Sequence, residues 1–209
     1  KTPLTSIINY VDLLKKEDIQ GEKAQEYIEV LDRKSQRLKK LTEDLVEASK
    51  ASTGTLTVNA ERLGMGQLVD QALGEYNAKF EAANLTLLST LPPQELYVKA
   101  DGRHVWRILD NLLGNCVKYA MPGTRVYLEL LKWDGNVIFS LKNVSASQLN
   151  VPPEELMERF VRGDESRTTE GSGLGLSIAR SLTEVQGGSF RLSIDGDLFK
   201  ASVSFPEVE

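Results

Sequence analysis

The sequence predicts an α+β chain: a helical hairpin that completes a four-helix bundle with a second copy, then an α/β sandwich with one mixed, largely antiparallel sheet covered on one face. Three observations carry this reading. Apolar residues repeat at helical spacing as far as Ser52. Beyond Thr53-Gly54, short apolar runs broken by Gly, Pro and Asp take over. Finally, Gly171, Gly173 and Gly175 stand at alternate positions and run straight into an apolar, helix-forming segment. The expected units are therefore residues 1–52 and 53–209.

Composition narrows the classes of function. At 209 residues, with 41% hydrophobic and 26% charged, the chain is an ordinary globular one that can bury a real core. No apolar run approaches the roughly 18 residues of a membrane span. A lone Cys116 excludes an internal disulfide and fits a reducing compartment. One His and one Cys leave no Cys/His metal cluster. A net charge of -5, without a basic block or aromatic-basic stripe, argues against a nucleic-acid partner.

The hairpin comes first along the chain. Leu4, Ile7, Val11 and Leu14 recur at helical spacing, with Ile8 widening the stripe, and a polar break from Asp18 to Glu22 precedes a longer helix. There Ile28, Leu31, Leu38 and Leu45 fall on heptad a and d positions, with Ser35, Thr42 and Ser49 at the remaining a sites. Two helices leave such a seam uncovered, so a homodimer is expected, the alternative being that the hairpin packs on the rest of its own chain. At the start, Thr2 reads as an N-cap and Pro3 as a first-turn proline whose missing N–H costs nothing.

The second unit alternates strands and helices. Thr55 to Asn59 is expected as a short strand, Met65 to Ala83 as a helix, and Leu85 to Leu91 and Leu96 to Ala100 as strands around Pro92-Pro93. Asp101 caps a helix that runs to Ala120. Val126 to Leu131 and Val137 to Lys142 form a hairpin joined at Asp134-Gly135. Gly173 to Val185 is a helix, and Ser189 to Ile194 and Ala201 to Phe205 flank Asp195-Gly196-Asp197.

Three stretches carry chemistry. The glycines at 171, 173 and 175 permit positive φ and close approach of a polyanion, while the following helix points its positive end at the same spot, which makes a phosphate cradle. Asn111, Asn115 and Lys118 share one helical face, offering neutral oxygen to Mg²⁺ and a cation to the phosphates beside it, with Tyr119 giving a flat face or a hydroxyl. Arg159-Phe160-Val161-Arg162 precedes a polar run from Glu165 to Glu170 and reads as the hinge of a lid, Phe160 its apolar anchor and the arginines candidates for phosphate.

In order and spacing the set resembles the ATP-binding domain of sensor histidine kinases, the Bergerat (GHKL ATPase-like) fold shared with gyrase and mismatch-repair ATPases. Asn111 to Ala120 matches the N box, Arg159 to Arg162 the F box, and Gly171 to Gly175 the second glycine box. Lys1-Thr2-Pro3-Leu4 resembles the tail of the motif His-(Glu/Asp)-x-(Lys/Arg)-Thr-Pro-Leu on the dimerisation helix, so the likeness covers essentially the whole chain.

The resemblance implies a catalytic core of a bacterial two-component phosphorelay, a protein-histidine kinase that uses ATP and Mg²⁺. Asn115 would ligate Mg²⁺, Asn111 and Lys118 would sit beside the triphosphate, and Tyr119 would line the adenine pocket. Phe160 and Arg162 would serve the lid. Gly171, Gly173 and Gly175, with Leu174 and Leu176, would carry the lid end and the phosphate-facing helix. The phosphoacceptor His would lie just before Lys1, outside this chain, which is then not expected to phosphorylate itself on histidine. Thr2 would help to orient the water that dephosphorylates a partner response regulator receiver domain. The likeness also implies a cytoplasmic domain whose parent is anchored in the bacterial cell membrane through a region not present here.

One box departs from the pattern. Where the family has Asp-x-Gly-x-Gly after a strand, this chain has Asn143-Val144-Ser145-Ala146-Ser147. Asn143 stands in for the Asp that accepts from the adenine amine. An uncharged acceptor implies ATP binding weaker by about 1 to 2 kcal/mol, and a flipped amide would relax base preference toward guanine. Two other classes of function follow from that departure: a nucleotide-binding pseudokinase or phosphatase-biased core, and a dimerisation module without useful nucleotide affinity. His104, near the start of the helix that carries the N box, is read as structural.

Overall fold

The computed structural model describes residues 2–16, 21–157 and 173–209. Two compact units divide the chain, Lys1–Glu47 and Ala48–Glu209. Helix α1 spans Thr2–Lys16 and α2 Glu22–Ser52. Thr2 is already inside α1, one step past the capping role expected of it. Pro3 still falls where a backbone N–H has no intrahelical acceptor, so the ring is tolerated there.

In the first unit the two helices meet edge to face through Tyr10 and Tyr27, ring centroids 5.2 Å apart. The inward face of α2 runs through Ala24, Tyr27, Leu31, Lys34 and Leu38, all partly buried. Several of the remaining apolar residues stay in solvent: Leu4 and Ile8 on α1 and Ile28 and Leu45 on α2 are each about half exposed.

The second unit holds β1 (Glu61–Gly64), α3 (Met65–Ala82), β2 (Thr86–Thr90), β3 (Tyr97–Ala100) and α4 (Gly102–Tyr119). There follow β4 (Arg125–Trp133), β5 (Asn136–Val144), the single turn α5 (Pro153–Leu156), α6 (Gly175–Glu184), β6 (Ser189–Asp195) and β7 (Leu198–Pro206). The main sheet has the order β2-β4-β5-β7-β6, parallel only at β2–β4. It is mixed and largely antiparallel, as the sequence predicts.

The expected single sheet is nevertheless two. β1 and β3 pair antiparallel as a separate ribbon, so the two segments around Pro92-Pro93 go to different sheets. Thr55 to Asn59 is not a strand either. It is tied by side chains rather than by a ladder: Asn59 N donates to Asp101 Oδ2 at 3.0 Å, and His104 Nε2 lies 3.1 Å from Thr57 O. Propensity alone cannot separate an extended segment held by a neighbouring helix from one held by a neighbouring strand.

Turn chemistry fixes the register of the central hairpins. Asp134 and Gly135 both take positive φ (47° and 68°), the two-residue geometry that suits strand twist, and pair Trp133 with Asn136. Period-two alternation then turns Val126, Leu128, Leu130, Val137, Phe139, Leu141, Ala201, Val203 and Phe205 to one face, all buried. Helices α3, α4 and α6 cover that face with Val69, Tyr76, Ile108, Leu112, Ile178 and Leu182. Each fully buried apolar side chain contributes about 1.5–3 kcal/mol, so this layer holds α4 and α6 firmly in place.

Candidate functional site

Helix α4 is anchored at both ends. Asp101 caps its start by accepting from Arg103 N at 3.0 Å, and its own N–H donates to Gln186 Oε1 just beyond α6. The Arg103 side chain, above all, holds the Asp101 carboxyl well below the usual carboxylate range, with the N–H groups of Asn59 and Arg103 adding to it against the effect of burial. Near its middle, Tyr76 of α3 donates to Asp110 Oδ1 at 2.5 Å. That hydroxyl lies close to Gly114, where a Cβ would stand 3.4 Å from it.

So fixed, α4 presents its polar face to the N-terminus of α6. A Cβ placed on Gly175 would meet Asn111 Oδ1 at 3.3 Å, a tight contact, and Asn115 Oδ1 at 3.7 Å, an ordinary one, so both amide oxygens lie close to the helix end. The α6 N-cap, Leu174, is buried and offers no side-chain capping bond. The first N–H groups of α6 therefore depend on another acceptor, and the helix dipole places positive potential beside the two amides. Asn111 Nδ2 is buried and makes no hydrogen bond among the described residues. A buried donor without a partner costs about 1–3 kcal/mol. Asn115 supplies the neutral oxygen that a hard cation such as Mg²⁺ accepts.

Lys118 is exposed and Tyr119 half-buried in the last turn of α4. Gly173 takes φ 71°, and Leu176 packs partly buried against the core. Phe160, Arg162 and Gly171, with Arg159, lie outside the described residues. The backbone of Thr2 belongs to α1, in the other unit. His104 bridges Thr57 O and, at 3.8 Å, Asp101 Oδ2, which is a structural role.

Asn143, at the end of β5, is buried beside α4. Its Oδ1 accepts from Cys116 Sγ at 3.2 Å and its Nδ2 donates to Val144 O at 3.2 Å. The glycines missing after it are not needed for the path the chain takes. Met121 N donates to Val144 O and Ala146 N to Tyr119 O, both at 2.8 Å, so an extended bridge between Ala120 and Ser145 closes this corner without positive φ. Cys116 escaped the sequence reading as a site residue. The available signal was its place one step past Asn115 on the sheet-facing side of the N box, four residues after Leu112.

Residues 100–208 match the family described as histidine kinase-, DNA gyrase B-, and HSP90-like ATPase, and residues 1–54 match the His kinase A (phospho-acceptor) domain. The chain belongs to this ATPase family. Together the two matches make it the core of a sensor histidine kinase. It is 30% identical to the sensor protein VanSC of Enterococcus gallinarum over 99% of this chain and 58% of that protein.

Among solved structures, full-length ShkA in complex with AMPPNP superposes with a TM-score of 0.74 at 22% identity, over 99% of this chain and 43% of ShkA. The histidine kinase ThkA in complex with the response regulator TrrA gives 0.73 at 19%, over 99% of this chain and 58% of that one. At these identities the structures speak for the fold. The kinase core spans about half the length of the curated relatives it matches, and no helix among its described residues is long and apolar enough to cross a membrane.

Proposed function

We propose that this core binds Mg-ATP between α4 and α6 and transfers the γ-phosphoryl group to a histidine just before Lys1, from which a response regulator Asp takes it. The observation that carries the reading is the convergence of Asn111 and Asn115 on the α6 N-terminus, which has no side-chain cap, with the Asn111 Nδ2 donor buried and unpaired among the described residues. Asn115 would hold Mg²⁺, which neutralises phosphate charge when bound. Asn111, Lys118 and the α6 N–H groups would position the triphosphate, and Tyr119 and Asn143 would face the base. Phe160, Arg162 and Gly171 would serve a lid, joined by Gly173, Leu174 and Leu176. In the transfer the bond from the γ-phosphorus to the β,γ-bridging oxygen breaks, the imidazole nitrogen forms the new bond to phosphorus, and ADP leaves. The protein's part is orientation and charge neutralisation.

The hairpin, taken as residues 1–52 with 53–209 as the catalytic unit, would dimerise through the half-exposed Leu4, Ile8, Ile28 and Leu45. Thr2 would bear on the phosphatase reaction toward the receiver domain. The ThkA–TrrA complex supports a response regulator as partner, and a parent anchored in the membrane belongs to the same reading.

A second reading, a pseudokinase or phosphatase-biased core, is favoured by Asn143 where the family has Asp. Calorimetric titration of Mg-ATP decides first: micromolar binding, weakened about 100-fold in Asn115→Ala, is the expected result. A chain extended upstream that then labels its histidine selects the kinase, and one that binds nucleotide but never labels selects the second reading. A folded chain without affinity for Mg-ATP would contradict both.

A further inference from the structure

We infer that Cys116 is a specificity-determining residue, positioning the Asn143 amide so that it reads adenine and refuses guanine; this rests on the nucleotide site proposed above. The geometry leaves the amide one orientation. The Val144 carbonyl can only accept, so the amide nitrogen must lie on its side, and that carbonyl is itself held by Met121 N at 2.8 Å. The Cys116 thiol then meets the amide oxygen at 3.2 Å. A flipped amide would set its oxygen against the Val144 oxygen and strip the thiol of its acceptor. Both side chains are buried, at 1% and 4% exposure, where an unmade hydrogen bond is costly.

Held this way, the amide keeps one lone pair on Oδ1 and one hydrogen on Nδ2, an acceptor beside a donor. Adenine's edge shows an amino donor beside a ring-nitrogen acceptor and complements that pair. Guanine shows a carbonyl acceptor where adenine has its amine and opposes it. A carboxylate at this position would match only the amine. The relaxed base preference expected from a flipped amide is therefore shut out by the thiol and the Val144 carbonyl.

The test is calorimetric titration of Mg-ATP and Mg-GTP into the whole chain, into Cys116→Ala and into Cys116→Ser. The wild type should favour ATP by at least about 100-fold, because guanine would leave buried polar groups opposed. Cys116→Ala should narrow that ratio about tenfold, and Cys116→Ser, which keeps a donor, should retain it. A nucleotide-free readout accompanies it: the single thiol gives one S–H stretching band in the infrared, expected at lower frequency in the wild type than in Asn143→Ala. Equal affinity for the two nucleotides in the wild type, an unchanged ratio in Cys116→Ala, or an unshifted band overturns the inference and leaves the nucleotide site standing. A folded wild type that binds neither nucleotide removes that site and this inference with it.

Discussion

The two sides of the candidate pocket treat their polar groups in opposite ways. At the α6 end, Asn111 keeps a buried amide donor unpaired among the described residues, and the helix terminus has no side-chain cap. At the β5 end, Asn143 has both ends of its amide bonded within the chain, to Cys116 and Val144. An open donor is a standing cost in the empty protein that a ligand can relieve, whereas a closed network is already oriented and gains little more. On the proposed reading, the α6 side would supply affinity and the β5 side orientation.

Substitutions can break that contrast. Gly175→Ala adds a methyl group 3.3 Å from Asn111 Oδ1 at a helical position that needs no positive φ. The expected result is Mg-ATP affinity down about tenfold while the melting temperature holds, since the methyl meets only a side-chain oxygen. Parallel loss of both would mean that Gly175 serves packing alone.

A smaller effect comes from behind the pocket. Asp101 ionises more readily in the folded chain than in the unfolded one, so its contribution is complete above about pH 4 and fades as pH falls through its lowered folded value. Acidification below pH ~4 should therefore cost the wild type about 3 °C more in melting temperature than Asp101→Asn, which keeps the cap but not the charge. Parallel curves would place the acid sensitivity elsewhere.

The α6 side was legible in the sequence because its chemistry lies in residue identity and helical spacing: Asn111, Asn115 and Gly175 are recognisable before any fold is known. The β5 side was legible only as a departure, since what Asn143 does depends on Cys116 reaching it across 27 positions of sequence. The same limit hid the pairing of β2 with β4, a parallel contact set by burial rather than by a turn, and the tether that holds Thr57 and Asn59 to α4. Local pattern found the elements, and long-range partners decided which edge each one joined.

The most direct test of the contrast is Asn111→Leu, with the melting temperature of the empty protein and its Mg-ATP affinity measured on the same preparation. Removing an unpaired buried donor while keeping the volume should raise the melting temperature by about 2 °C and weaken Mg-ATP about tenfold. A fall in melting temperature with affinity unchanged would show Asn111 to be an ordinary structural amide, and would contradict the account.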